Sequence, residues 1–301
     1  MTNKFMVLNI NFKISEKIIL NKFSGFESRR IFYNVIKLAN EKLANELHES
    51  KKLSPFSSTP IYTLLNEKME IVNRKLTPNK IYTMRYTILS KKLCNLIAEI
   101  IWKDIFNKQK IKNEIIEIID FKIKSIDYVD LYKNSEPIKY FLVNFLTPTY
   151  FRVSPYILAM ISKNVKNQIF PLEYLKRIYR YYPLPNPSLL IRNIVRIWKQ
   201  YSNYHFDYDM YKAWVSLFGV TVSGYRRGIK TYRAYERKST NRWVEGFRGI
   251  VAYYVPDDLL NKEYAKITDM LLKFAEFTNV GGGRTAGFGM IKYVPREYYE
   301  S

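Results

Sequence analysis

Two hydrophobic periods alternate along this chain, and their order confines the folds open to it. A period of two marks a half-buried strand, and a period of 3.6 marks an amphipathic helix. Phe5-Met6-Val7-Leu8-Asn9-Ile10-Asn11-Phe12-Lys13-Ile14 alternates over much of its length and predicts a strand. Ser28 then offers an N-cap, and Ile31, Phe32, Val35, Ile36 and Ala39 recur at helical spacing. Asn40 offers a second N-cap, opening a short helix from Glu41 to about His48 that buries Leu43 and Leu47. Pro55 and Pro60 break the next stretch. Ile61–Leu65 and the alternating run Lys80–Leu89 read as extended. Ser90 caps a helix to about Phe106, with Leu93, Leu96, Ile97, Ile100, Ile101 and Ile105 on its buried side. Ile115 to Val129 is again β-rich. The order β-α-β-β-α-β is that of a ferredoxin-like unit.

The second half repeats that order. Ile138–Thr147 predicts a strand, and residues 154–218 read as helical, with Pro171 suited to a first helical position. Pro183, Pro185 and Pro187 mark a break before a helix at Leu189–Tyr201. Extended segments at Val220–Tyr235 and Trp243–Val255, a helix at about Asp257–Phe277 and a strand at Phe288–Val294 complete the round. No residue-level repeat links the halves, so the duplication is one of pattern. The expected fold is α+β: two tandem ferredoxin-like domains, 1–136 and 137–301, with a helical insertion in the second. A chain of 301 residues that is 47% hydrophobic can bury two such cores.

Charge narrows the function. There are 49 Lys+Arg against 27 Asp+Glu, a formal net charge of +22. Such an excess repels itself in a compact chain and points to a polyanionic partner. Residues 1–140 hold 21 Lys and 4 Arg, whereas residues 141–301 hold 11 Lys and 13 Arg. Arginine forks onto phosphates and base edges and stacks on rings, so the second half is the better candidate for shaped recognition. Cys94, His48 and His205 are the only soft ligands, which argues against a structural zinc site; no metal and no cofactor is expected. A lone cysteine cannot form a disulfide within the chain and fits a reducing cytoplasm. No signal peptide and no membrane span is expected.

Two motifs carry the recognition chemistry. In Asn279-Val280-Gly281-Gly282-Gly283-Arg284-Thr285-Ala286-Gly287-Phe288-Gly289-Met290, clustered glycines permit positive φ and close approach to a ligand, and successive N–H groups can form an anion nest. The loop runs from a helix into a strand, the reverse of a P-loop, and lacks the Gly-Lys-Ser/Thr of that motif. Upstream, Gly224–Arg248 holds Arg226, Arg227, Lys230, Arg233, Arg237, Lys238, Arg242 and Arg248 against only Glu236 and Glu245. Tyr225, Tyr232, Tyr235, Trp243 and Phe247 are interleaved, a composition suited to phosphates and unpaired bases, with Phe247 and Tyr235 read as core. The predicted RNA-binding set is Lys51, Arg226, Arg227, Lys230, Arg233, Arg237, Lys238, Arg242, Gly281, Gly282, Gly283 and Arg284.

These residues resemble the CRISPR-associated endoribonucleases that process repeat RNA, the Cas-six family. Gly287-Phe288-Gly289-Met290 is similar to the close of the glycine-rich loop shared by the repeat-associated RNA-binding superfamily. The opening departs from that pattern, with Asn279 where a glycine is usual; Asn tolerates left-handed backbone better than most residues. Phe145-Leu146-Thr147-Pro148-Thr149-Tyr150-Phe151 resembles the strand that opens the family's second half. Phe32–Ile36 through Leu47-His48-Glu49, then Lys51–Ser57, resembles an archaeal branch with a Tyr, His and Lys constellation. The resemblance implies Tyr33, His48 and Lys52 as catalytic positions, with Lys51 a rival for the last. It implies metal-independent cleavage of CRISPR precursor RNA within the repeat by the RNA's own 2′-OH, leaving 2′,3′-cyclic phosphate and 5′-OH ends. His48 is read as general acid, Tyr33 as base or positioner, with the reverse open, and the lysine as a stabiliser of transition-state charge. The implied partners are the repeat RNA and subunits of a CRISPR effector complex, with the chain a monomer or homodimer. The competing reading is a non-catalytic RNA-binding subunit of such a complex.

Geometry adds a condition. On one straight helix, Tyr33 and His48 would lie about 22 Å apart and could not share a site. The chain must therefore bend near Ala39–Glu41. His205, in Tyr204-His205-Phe206, is expected to be structural.

Overall fold

A computed structural model of the chain describes residues 3–49, 53–153, 180–237 and 242–299. The first sheet is built from β1 (Lys4–Lys13), β2 (Phe56–Ser58), β3 (Tyr62–Leu65), β4 (Lys68–Ile71), β5 (Tyr82–Ile88) and β6 (Glu117–Asp127). Its order is β6-β1-β5-β3-β4, with β2 also pairing β5, and every pairing is antiparallel. Helices α1 (Gly25–Ala39), α2 (Glu41–Glu49) and α3 (Lys91–Trp102) complete this half. Leu8, Ile10 and Phe12 of β1 bury with Ile31, Phe32, Val35 and Ile36 of α1 and with Leu93, Ile97 and Ile100 of α3. Alternate residues Phe5 and Val7 belong to a second core shared with the other half. A strand buried on both faces in this way locks its register, because a one-residue slip would exchange the two cores.

After the short helix α4 (Tyr128–Lys133), the second sheet comprises β7 (Ile138–Thr149), β10 (Thr221–Arg237), β11 (Arg242–Tyr254) and β12 (Ile291–Tyr298), in the order β10-β11-β7-β12. Between β7 and β10 lie a small ribbon of β8 (Phe151–Val153) and β9 (Arg180–Tyr182), then α5 (Pro187–Tyr201) and α6 (Tyr208–Trp214). Helix α7 (Lys262–Thr278) connects β11 to β12. In both sheets the last strand of the unit flanks the first, and the third separates the first from the second. The fold is therefore α+β with two tandem ferredoxin-like units and helices inserted in the second. The expected helical stretch begins in residues 154–179, which, with Pro171, lie outside the described residues.

Several boundaries differ from the sequence pattern for local reasons. Helix α1 starts at Gly25 rather than at Ser28; Ser28 is fully buried inside it, and its carbonyl accepts the Tyr86 hydroxyl at 2.8 Å. Gly25 meets the glycine-rich loop there, where a Cβ would lie 2.1 Å from the Ala286 carbonyl oxygen. Asp104, at φ +55°, stops α3 before Phe106, which sits in a short 3-10 turn. Asn261 caps α7 by accepting the Tyr264 N–H at 3.0 Å, so the helix opens after Asp257. Strand β12 opens at Ile291 because Gly287 and Gly289, at φ +76° and +70°, still turn the chain.

The halves are joined where α7 ends. The last carbonyls of a helix lack intrahelical donors and carry the negative end of its dipole. Here the first half supplies the donors. Arg85 of β5 donates to Glu276 O at 2.7 Å, and Thr87 and Ser57 hydroxyls donate to Phe277 O at 2.7 and 3.2 Å. Arg284 donates to Thr278 O at 2.9 Å. Asn279, at φ +56°, donates its amide to Ser58 O at 2.8 Å, and Ser58 donates back to Thr285 O at 2.7 Å. The tolerance of Asn279 for positive φ is used as expected.

Gly289→Ala tests the loop's backbone. A Cβ there would sit 1.7 Å from the Val280 carbonyl oxygen, at a φ that an L side chain rarely adopts. The loss of stability should exceed the roughly 1–3 kcal/mol of backbone strain alone, read as a lower urea midpoint. An unchanged midpoint contradicts the assignment.

Candidate active site and nucleic-acid interface

The condition set by the sequence is met at Asn40. Helix α1 stops at Ala39, and Asn40 takes φ −158° and ψ 90°, an extended conformation. Its N–H closes α1 by donating to Ile36 O at 2.7 Å, and its Oδ1 opens α2 by accepting the Leu43 N–H at 2.9 Å. One residue thus ends one helix and caps the next. Leu43 is buried and Leu47 partly so, which folds α2 back against the core. The Tyr33 and His48 rings consequently meet at 5.9 Å between centroids, inclined at 64°. Phe56 of β2 supports Tyr33 from a second side at 5.5 Å.

Tyr33 is half-buried, while His48 is exposed at the end of α2. Burial pushes the Tyr33 phenol above its ordinary value, and the nearby Arg29 guanidinium opposes that shift. The phenol is therefore a protonated hydrogen-bond donor throughout the neutral range. Lys51 and Lys52 lie outside the described residues. The chain that follows them is held by the second half: the Tyr201 hydroxyl donates to Leu53 O, and Arg284 donates to Ser54 O at 3.2 Å. Among the described residues, no group of three or more His, Cys, Asp or Glu is placed to hold a metal ion. No helix among them is long and apolar enough to cross a membrane.

The glycine-rich loop corrects part of the predicted RNA-binding set. Arg284 is 5% exposed, its guanidinium holds the Thr278 and Ser54 carbonyls, and burial lowers its pKa to about 10. It braces the fold rather than facing a ligand. The Gly281 N–H donates to Asn193 at 2.7 Å and the Gly282 N–H to Tyr150 O at 2.9 Å, so these two groups build no anion nest. The glycines serve close packing. A Cβ on Gly282 would lie 2.2 Å from the Tyr150 ring, and one on Gly283 would lie 2.8 Å from Phe288. The sequence shows how permissive such a backbone is, but not which chain approaches it.

The basic hairpin is β10 and β11. Arg226, Arg227, Lys230 and Arg233 are exposed, with Tyr225, Tyr232 and Trp243 exposed among them. Arg227 and Gly228, at φ +61° and +74°, fall at a register shift between Arg226 and Ile229, a bulge that twists the ribbon. Arg233 lies over Trp243 at 5.6 Å and Arg248 over Tyr232 at 6.0 Å, so cations and rings share one surface. Phe247 is fully buried, in line with a core role, whereas Tyr235 is half-buried and packs one side on Phe288 and Phe26 at 5.5 and 5.6 Å. Arg237 and Arg242 pair across the end of the ribbon, and Lys238 lies outside the described residues. His205 meets the Tyr208 hydroxyl at 3.0 Å, remote in sequence from Tyr33 and His48. Arg29 is a functional candidate that the pattern reading passes over; its spacing of four from Tyr33 on α1 is the signal that marks it.

Comparison with known proteins bears on the whole of this arrangement. The family of the CRISPR-associated endoribonuclease Cas6 matches residues 143–291. No curated protein matches the chain. Among solved structures, a product complex of a Thermus thermophilus Cas6 is similar over 96% of this chain and 100% of its own, with 16% identity and a TM-score of 0.69. A Cas6 substrate-mimic complex covers 97% of this chain and 100% of its own at 15% identity, TM-score 0.64. The protein of a Cas6-related gene from Pyrococcus furiosus covers 97% and 100% at 16% identity, TM-score 0.54. At these identities the likenesses establish the fold.

Asn40→Ala removes the acceptor that opens α2. It should lower stability by about 1 kcal/mol, with Asn40→Ser retaining most of it, in equilibrium urea unfolding. Equal midpoints for the wild type and Asn40→Ala contradict the cap.

Proposed function

We propose that the chain, whose residues 143–291 match the family of the CRISPR-associated endoribonuclease Cas6, cuts CRISPR precursor RNA within the repeat, without a metal ion. The observation that carries this reading is the meeting of the Tyr33 and His48 rings at 5.9 Å across the Asn40 turn. Two distant positions of the sequence converge there on one edge of the first half. The basic ribbon stands in the second half, linked to the Tyr33 helix through contacts of Tyr235 and Phe26. The division of labour we propose is a reacting domain at 1–136 and an RNA-holding domain at 137–301.

RNA carries its own nucleophile. The 2′-oxygen attacks the adjacent phosphorus, the bond from phosphorus to the 5′-oxygen breaks, and the proton lost from the 2′-OH is balanced by one delivered to the leaving oxygen. The products are a 2′,3′-cyclic phosphate and a 5′-OH. His48 is our candidate for the proton delivered to the leaving oxygen, because imidazole exchanges protons near neutral pH. Tyr33, held protonated by burial, is the better positioner: its hydroxyl donates a hydrogen bond to the phosphate or the 2′-oxygen. Lys52, or Lys51 in its place, is proposed to stabilise charge on the phosphate. The RNA is proposed to lie along Arg226, Arg227, Lys230 and Arg233, with Arg237, Lys238 and Arg242 at the ribbon's tip. Exposed Tyr225, Tyr232 and Trp243 offer faces for unpaired bases.

A non-catalytic RNA holder would share the ribbon but not depend on His48. With a CRISPR repeat RNA, His48→Ala should lose cleavage by about 10²-fold or more while its Kd stays near that of the wild type. Cleavage by the wild type should persist in excess EDTA. Full cleavage by His48→Ala, or a strict need for divalent metal, contradicts the reading. Because the Tyr33 phenol titrates above its ordinary value of about 10, Tyr33→Phe should slow cleavage without changing the shape of the pH–rate profile below about pH 9. A limb of the wild-type profile that vanishes in Tyr33→Phe would make Tyr33 the base instead.

A further inference from the structure

Between the Tyr33–His48 pair and the basic ribbon runs a stretch of α1 that neither assignment uses. Arg29 stands one helical turn before Tyr33, so the two side chains share a face. Its guanidinium lies over the Phe26 ring, 6.0 Å from the centroid. Phe26 in turn meets Tyr235 of the ribbon at 5.6 Å and Phe288 at 5.7 Å. His48, Tyr33, Arg29, Phe26 and Tyr235 are therefore successive neighbours between the proposed reacting pair and the ribbon. At its far end Arg152 stands close enough to Tyr150 and Tyr235 for its charge to act on both hydroxyls.

Arg29 also has no counter-ion among the described residues. Glu27, the acidic residue of the helix's first turn, pairs with Arg30 at 2.7 Å. Among the described residues no ion pair is made by Arg29. A half-buried guanidinium resting on an aromatic face has lost part of its hydration and keeps its forked donors for an anion. It stands one helical turn from Tyr33 on the same face, where its charge acts on that phenol, so the two groups border one volume. The anion that this volume is otherwise fitted for is the phosphodiester beside a ribose.

We propose that Arg29 contacts the scissile phosphate, adding a guanidinium to Tyr33 and His48, and that the RNA strand reaches it from the ribbon across Phe26 and Tyr235. This rests on the nuclease reading given above. A fork on the non-bridging oxygens holds the phosphate in line for attack and stabilises the negative charge that grows there in the transition state. It also gives the site a fixed cation on a rigid helix.

The test compares single-turnover cleavage of a repeat RNA at saturating protein with equilibrium binding of the same RNA carrying a 2′-deoxy nucleotide at the cut. Arg29→Ala is expected to slow cleavage by roughly 10²-fold, with a much smaller change in Kd. Arg29→Lys should recover part of the rate, because it restores charge without the fork. The neighbouring Arg30→Ala should cleave as the wild type does. If thermal melting shows Arg29→Ala to be unfolded, Arg29→Gln replaces it with the same expected loss. Wild-type cleavage by Arg29→Ala or Arg29→Gln, or a loss confined to affinity, overturns the proposal while His48→Ala still fails to cut. If His48→Ala cuts as well as the wild type, the nuclease reading itself fails and the proposal falls with it.

Discussion

The C-terminal end of α7 is the point on which the rest of the molecule depends. A helix end presents carbonyls with no partner of their own and half a negative charge. In this chain those carbonyls are answered from the other half, by Arg85, Thr87 and Ser57, and by Arg284 from the loop that follows. Buried charge of this kind is tolerated only because each guanidinium finds oxygen. A cation left without one would cost several kcal/mol. The junction fixes β2 against the glycine-rich loop and the loop against the start of α1.

That rigidity matters because the candidate site is assembled from both sides of the junction. Tyr33 hangs on α1, whose first residue packs on the loop at Ala286. The segment after Lys52 is held at Leu53 and Ser54 by Tyr201 and Arg284. The ribbon meets α1 through Tyr235 and Phe26. RNA bound to the second half as proposed would thereby be held in register with groups carried by the first. The Asn40 turn supplies the remaining degree of order, since it alone brings α2 and His48 back to Tyr33.

Much of this was legible in the chain itself. The two rounds of strand and helix follow from apolar periods, and the turn follows from a single capping residue placed where two helical patterns meet. Phe247 as core and Arg226, Arg227 and Arg233 as surface follow from the same alternation. What periodicity could not show is which backbone the glycines approach. Gly282 reads as a ligand-facing residue until Tyr150 is found 2.2 Å from where its Cβ would be. Arg284 reads as an RNA contact because sequence carries no information on the tertiary carbonyls that bury it. Arg29 was hidden for the opposite reason: its meaning lies in making no ion pair among the described residues once Glu27 turns to Arg30.

The structure of the chain bound to a repeat RNA blocked by a 2′-deoxy nucleotide at the cut would test the central claim most directly. The account predicts that the phosphate 3′ of the modified ribose sits within hydrogen-bond reach of the Tyr33 hydroxyl and the His48 imidazole. A phosphate seated elsewhere, with those two side chains facing solvent, would contradict it.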